Sequence, residues 1–65
     1  MEAHCSGVET MYELWHGDRL IHRSFCHPGE LAYYFAWTEN LWGPDGVARF
    51  QVRFEGRTEE IMVSR

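Results

Sequence analysis

Turn signals divide this chain into three segments, and their positions constrain the fold more than any other feature of the sequence. Gly17-Asp18 and Gly56-Arg57 are typical of tight hairpin turns, and the Pro-led, aromatic-rich segment between them ends at Gly43-Pro44. We therefore expect hairpin, helix and hairpin within 65 residues. The predicted fold class is α+β: a ββαββ chain with a four-stranded, mainly antiparallel sheet and one helix packed on one face.

The first hairpin is predicted from alternation of side chains between Val8 and His16, with a return strand from Arg19 to Phe25. A two-residue turn opposes Trp15 to Leu20, and strict alternation sets the rest of the register. The predicted core side of this hairpin carries Val8, Tyr12, Leu14, Ile21 and Phe25. The predicted opposite face carries Met11, Glu13, Trp15, Leu20 and His22.

The helix is predicted to begin at Pro28 and to end at Gly43-Pro44, because proline favours the first helical position and glycine followed by proline stops a helix. Helical spacing selects an apolar stripe of Leu31, Tyr34, Phe35, Thr38, Leu41 and Trp42, opposite Ala32, Tyr33, Ala36, Glu39 and Asn40. We expect the stripe to pack on the sheet.

The second hairpin alternates from Ala48 to Glu55 and returns through Thr58 to Ser64. The Gly56-Arg57 turn opposes Ile61 to Val52, Val63 to Phe50 and Glu60 to Arg53. The predicted core comprises Tyr12, Leu14, Ile21, Phe25, Leu31, Phe35, Trp42, Phe50, Val52, Ile61 and Val63.

Length and composition predict one domain over residues 1–65, with residues 1–7 as a flexible lead-in. The four Phe, three Trp and three Tyr supply the apolar area that a core this small needs. The first residues contain neither a basic region nor an apolar run, and no stretch approaches the roughly 20 apolar residues of a membrane helix. We expect a cytoplasmic protein that does not bind membranes.

Two cysteines and neighbouring histidines raise the question of a metal site or a cysteine nucleophile. His4-Cys5 and Cys26-His27 are adjacent pairs, and His22 precedes Cys26 by four residues, which matches no zinc-ligand spacing. We expect no metal and no cofactor, Cys26 as a small buried residue and Cys5 as an exposed thiol; a Cys5–Cys26 disulfide is the less favoured alternative. Since so short a chain can hardly enclose a pocket that excludes water, we also expect no catalytic residues and no enzymatic activity.

The uncovered face of the sheet is the candidate binding surface. Trp15, Met11 and Leu20 are predicted there, rimmed by charged side chains, as in protein-binding surfaces. The net charge of −4 repels nucleic acid and lipid phosphates and favours a basic protein partner. The predicted partner-binding residues are Glu9, Glu13, Trp15, Asp18, Glu39, Glu55, Glu59 and Glu60. A monomer or a weak homodimer is expected.

The sequence leaves a second function open. Aromatic side chains beside Arg49 and Arg53 on an open sheet are also typical of single-stranded nucleic-acid platforms. The alternative is therefore a small regulatory protein that binds nucleic acid through this face. Salt-dependent binding to oligonucleotides would separate the two.

The carboxylates Glu9, Glu13, Asp18, Glu39, Asp45, Glu55, Glu59 and Glu60 on a ββαββ scaffold give the whole chain an acidic, motif-free character. In this it resembles the small phage-encoded anti-CRISPR inhibitors, and within them the short inhibitors of type I-C systems. The resemblance implies inhibition by occupancy. Carboxylates would mimic DNA phosphates and occupy the basic DNA-binding surface of a CRISPR surveillance complex, with a Cas protein as partner in the bacterial host cytoplasm.

Overall fold

The computed structural model describes residues 10–65 and has the predicted ββαββ order. The elements are β1 (Tyr12–His16), β2 (Arg19–Ser24), α1 (Gly29–Thr38), β3 (Val47–Phe54) and β4 (Arg57–Ser64). The four strands form one sheet in the order β2-β1-β3-β4, and every neighbouring pair is antiparallel. The α+β prediction is confirmed. Val8 and Glu9, predicted in the first strand, lie outside the described residues.

A β-bulge changes the register of the first hairpin. The turn opposes Trp15 to Leu20 as predicted, but Leu14 then pairs with His22 because Ile21 is an extra residue in β2. His22 therefore lies on the helix side, where its ring centroid is 5.5 Å from that of Phe35. The prediction of His22 on the uncovered face is wrong, because strict alternation holds only up to the bulge.

The second hairpin turns at Glu55-Gly56, one residue before the predicted position. Both residues have positive φ, 51° and 73°, as a type I′ hairpin turn requires. Phe54 consequently pairs with Arg57, and Phe50 pairs with Ile61. The predicted register is displaced by two residues, which keeps every side chain on its predicted face. The pairs actually formed include Ala48 with Val63, Gln51 with Glu60, Val52 with Glu59 and Arg53 with Thr58.

The helix ends at Thr38, before the predicted stop at Gly43-Pro44, because Asn40 adopts a left-handed conformation with φ 54°. The backbone N–H of Leu41 donates to the carbonyl of Ala36 at 2.9 Å, and that of Asn40 donates to Trp37 at 3.4 Å. These two bonds form a Schellman motif, which satisfies carbonyls at the end of the helix.

The helix begins at Gly29, with Pro28 just outside it, and His27 fixes this start to the sheet. The N–H of Gly29 donates to Nδ1 of His27 at 3.1 Å. Since Nδ1 accepts, Nε2 carries the proton and donates to Oε1 of Glu59 on β4, 3.0 Å away.

The core lies between α1 and the sheet. Its buried residues are Leu14, Ala32, Ala36, Ala48, Phe50 and Val52, and its half-buried ones are Tyr12, Ile21, Phe35, Leu41, Trp42, Phe54, Ile61 and Val63. Two predicted core residues are exposed: Phe25, 53% exposed because β2 ends before it, and Leu31, 37% exposed. Tyr34 and Thr38, in the predicted stripe, are exposed too, whereas Ala32 and Ala36 face the sheet. The helix is apolar almost all round, so its spacing did not fix which side packs.

Candidate functional site

The sheet face opposite the helix, here called the outer face, is the candidate site. Leu14, Phe50 and Val52 point into the core, so their strand neighbours and the cross-strand partners of those neighbours point away from it. The outer face therefore carries Glu13, Trp15, Leu20, Arg23, Val47, Arg49, Gln51, Arg53, Thr58, Glu60, Met62 and Ser64. No described helix or strand covers it.

Trp15 lies at the centre of this face on the central strand β1, and its orientation is as predicted. Its indole Nε1 donates to Oε1 of Glu13 at 2.9 Å. The guanidinium carbon of Arg53 lies 4.2 Å from the centroid of the indole ring, a cation–π contact. Nη2 of Arg53 donates in turn to Oε1 of Gln51 at 3.0 Å. The half-buried indole is thus held in one orientation while part of its surface stays open to solvent.

Apolar side chains on the neighbouring strands extend the surface around Trp15. Leu20 on β2 is 39% exposed, and Met62 on β4 is 65% exposed. A groove of about 430 Å³ adjoins the face at the second hairpin turn, lined by Met11, Glu13, Arg53 and residues 54–58. The outer face therefore combines the fixed indole of Trp15, the exposed apolar side chains of Leu20 and Met62, and an open groove at its edge.

Charges of both signs surround these apolar groups. Glu13 on β1 is paired with Arg23 on β2 and with Arg53 on β3, so an arginine flanks it on each neighbouring strand. Arg49 donates through Nη2 to Oδ2 of Asp45 at 3.0 Å. That bond, helped by the backbone N–H of Val47, holds the pKa of the Asp45 carboxyl below its usual value.

The predicted carboxylates do not gather on one surface. Among those in the described part of the chain, only Glu13 and Glu60 share the outer face with Trp15. Glu59 pairs with buried Val52 and points to the helix side, where it contacts His27. Glu9 lies outside the described residues.

The other three carboxylates lie near the ends of the sheet. Asp18 is in the first hairpin turn, and Glu39, at the end of the helix, accepts from Nη2 of Arg19 at 2.6 Å. Glu55 is in the second turn and accepts from Oγ1 of Thr10 at 2.8 Å. The two turns lie at opposite ends of the sheet, since β1 and β3 are antiparallel. The alternation of β3 with Phe50 and Val52 already predicted Arg49 and Arg53 on the outer face. Strict alternation predicted Arg23 on the helix side, and the bulge in β2 puts it on the outer face opposite Glu13.

Cys26 is disulfide-bonded and exposed, which corrects the expectation of a small buried thiol. The only other cysteine in the sequence, Cys5, lies outside the described residues, as does His4. Within residues 10–65, no three His, Cys, Asp or Glu side chains are grouped closely enough to hold a metal ion. That no metal binds remains a prediction. The same part of the chain contains no helix with the length and apolar character to span a bilayer.

Comparison of the chain with protein-family models, with curated proteins and with solved structures found no significant match.

Proposed function

We propose that this chain is a non-enzymatic binding module that engages a protein partner through its outer face. The position of Trp15 carries the proposal. Glu13 and Arg53 hold its indole on an inner strand, on the face of the sheet that the helix does not cover. Tryptophan and arginine are the side chains most enriched at the energetic centres of protein interfaces, and a ring already fixed in place loses little entropy on binding.

The charge of the chain supports a basic partner. The net charge of −4 attracts a basic surface over long range, whichever face the carboxylates occupy. Glu13 and Glu60 lie on the outer face, where they can contact the partner directly. Together with the resemblance to anti-CRISPR inhibitors, this favours occupancy of the DNA-binding surface of a type I CRISPR surveillance complex. Trp15 would anchor the inhibitor and the carboxylates would replace DNA phosphates.

A second candidate is nucleic-acid binding through the same face. Arg23, Arg49 and Arg53 cross it, against Glu13 and Glu60, so the face is locally less acidic than the whole chain. An exposed indole beside arginines can stack on a base while the guanidinium groups contact phosphates. The net charge of the chain opposes this function, and the arginines on the face favour it.

Binding kinetics on an immobilised type I-C surveillance complex test the first proposal. We expect Trp15→Ala to raise the dissociation rate about 30-fold, the equivalent of a 2 kcal/mol anchor residue, with association little changed. Tyr34→Ala is the matched control, since Tyr34 is a 58% exposed aromatic residue on the helix. Equal dissociation rates for the two variants would contradict the role of the outer face, and failure of the parent to bind would contradict the proposed partner.

Glu59 and Glu60 provide a matched pair for the carboxylates. Glu60→Lys and Glu59→Lys change the net charge equally, but the two side chains lie on opposite faces of β4. If the outer face contacts a basic partner, both reversals slow association and reduce its salt dependence, and only Glu60→Lys also speeds dissociation. Tight, salt-dependent binding of the parent to single-stranded oligonucleotides would instead favour the second candidate.

A further inference from the structure

Two exposed aromatic rings and the half-buried ring of Trp42 form a cluster on the helix side of the molecule, away from the outer face. Tyr33 and Trp37 project from α1, and Trp42 follows the helix. The ring centroids lie 5.2 Å apart for Trp37 and Trp42, 5.9 Å for Tyr33 and Trp42, and 6.3 Å for Tyr33 and Trp37. The planes meet at 71–78°, so each ring meets the others edge to face. We call these residues the aromatic cluster.

The aromatic cluster is open to solvent and already holds a cation. Tyr33 is 47% exposed and Trp37 is 49% exposed, which is a large apolar exposure for neighbouring residues on one helix. The guanidinium carbon of Arg65 lies 5.5 Å from the centroid of Trp37. The backbone N–H of Arg65 donates to the carbonyl of Gly46 at 2.9 Å, which fixes the last residue beside the ring.

We propose that the aromatic cluster is an arginine-binding surface that takes a guanidinium group from a basic protein segment, with Arg65 occupying the place of that group in the unbound protein. A guanidinium stacks on an aromatic face and is weakly hydrated, so this group is suited to the exposed indole of Trp37. Glu30 lies on the same side of α1 as Tyr33, Tyr34 and Trp37 by helical spacing. With the net charge of −4, it adds attraction for a basic segment.

This surface is separate from the outer face. Ala32 and Ala36 of the helix are buried against the sheet, whereas Tyr33 and Trp37 are exposed. Trp15 lies on the far side of the sheet. The inference therefore does not depend on the function proposed for the outer face, and substitutions at Trp15 and Trp37 report on the two surfaces independently.

Titration of the folded, ¹⁵N-labelled protein with a short Gly-Arg repeat peptide tests the inference. The control peptide replaces each arginine by citrulline, which keeps the shape of the side chain and removes its charge. The indole N–H signals of Trp37 and Trp42 report on the cluster, and the signal of Trp15 reports separately on the outer face, which is itself proposed to bind a basic partner. We expect the arginine peptide to shift the cluster signals. The citrulline peptide should bind about two- to fivefold more weakly, which is the effect of one exposed cation–π contact.

Two variants test whether the peptide arginine takes the place of Arg65 at Trp37. Arg65→Gln removes the internal competitor while the backbone bond to Gly46 stays possible, and we expect it to bind the arginine peptide about two- to fivefold more tightly than the parent. Trp37→Leu should weaken binding at the cluster, read from the Trp42 signal, by at least about twofold, since it removes the aromatic face of one exposed cation–π contact. A Trp15 signal at the parent's position before peptide is added shows that the sheet is intact. Equal affinity for the two peptides would overturn the inference. So would weaker binding by Arg65→Gln, or cluster signals that move with protein concentration alone, which would identify a second copy as the occupant.

Discussion

At the scale of single residues, two non-glycine residues of the described chain have a left-handed backbone conformation, and both follow the end of an element. Asn40 and Glu55 have φ of 54° and 51°. Asparagine tolerates the left-handed region because its short side chain can bond locally, whereas a longer side chain is strained there. Asn40 therefore suits its role in ending the helix. Glu55 has a longer side chain and is strained at its position in the hairpin turn.

Replacing Glu55 by asparagine should stabilise the protein. Asn-Gly is the preferred dipeptide for a turn in which both residues have positive φ, and relief of the strain is worth about 1 kcal/mol. In a domain of this size that corresponds to a rise in Tm of about 4–8 °C. Thermal unfolding followed by circular dichroism measures it.

Glu55→Gln is the control for this change. It replaces the carboxylate, whose Oε2 accepts from Oγ1 of Thr10, by a neutral amide and keeps a long side chain in the strained turn. We expect its Tm to be at or below that of the parent. If Glu55→Asn melts no higher than Glu55→Gln, strain at the turn is not what limits stability there.

At the scale of elements, the helix buries two alanines against the sheet and leaves three of its four aromatic side chains, Tyr33, Tyr34 and Trp37, exposed. Ala32 and Ala36 are fully buried, and Ala48 on β3 is 1% exposed. Small residues on both layers let the helix approach the sheet closely, so the interface has little spare volume. The spacing of large apolar residues predicted Phe35, Leu41 and Trp42 on the packed side, and they are half-buried there. It placed Ala32 and Ala36 on the opposite side, because a count of large apolar residues ignores how closely small ones allow the helix to approach.

Enlarging a buried alanine should therefore be costly. We expect Ala36→Leu to lower the free energy of unfolding by about 1–3 kcal/mol, since the added atoms have no room against the sheet. Thr38→Leu introduces the same side chain at an exposed position of the same helix, and should change stability by no more than about 0.5 kcal/mol. Urea unfolding of both variants measures the difference. Similar midpoints would mean that this side of the helix is not packed as described.

At the scale of the whole molecule, a single thin core supports both candidate surfaces. Among the described residues, six hydrophobic core residues and Pro28 are buried, and the other core side chains are partly exposed to solvent. The free energy of unfolding of so small a domain is low, because it is only about 5–15 kcal/mol even in larger proteins. Loss of one large central side chain should consequently remove much of the stability.

Phe50 and Phe25 test where the core lies. Phe50 is 2% exposed, pairs with Ile61 and contacts the ring of His16, whereas Phe25 is 53% exposed. We expect Phe50→Ala to cost about 3–5 kcal/mol, and Phe25→Ala to change stability by about 0.5 kcal/mol or less. Chemical unfolding of the two variants measures this. A Phe50→Ala protein that unfolds like the parent would contradict the core described above.

The facing of β3 shows how far local sequence reasoning reaches. The alternation of apolar and polar residues predicted Phe50 and Val52 in the core and Arg49 and Arg53 on the opposite face, and the structure confirms this. It holds although the turn lies one residue before its predicted position and the strand pairing is displaced by two residues. A displacement of two residues preserves facing, since side chains alternate with a period of two. The position of Trp15 on the outer face was predictable for the same reason. The hydrogen bond and the cation–π contact that fix its indole were not.

The sequence by itself determined the order of the elements, the two hairpins and the facing of the central strands, because turn residues and alternation act over a few neighbours. Tertiary structure alone decided the bulge that turned His22 inward and the side of the helix that packs, since both depend on contacts between residues distant in the chain. It also decided that the carboxylates are dispersed and that Tyr33, Trp37, Trp42 and Arg65 meet. Such groupings arise only when separate elements pack together, and no spacing within one segment encodes them.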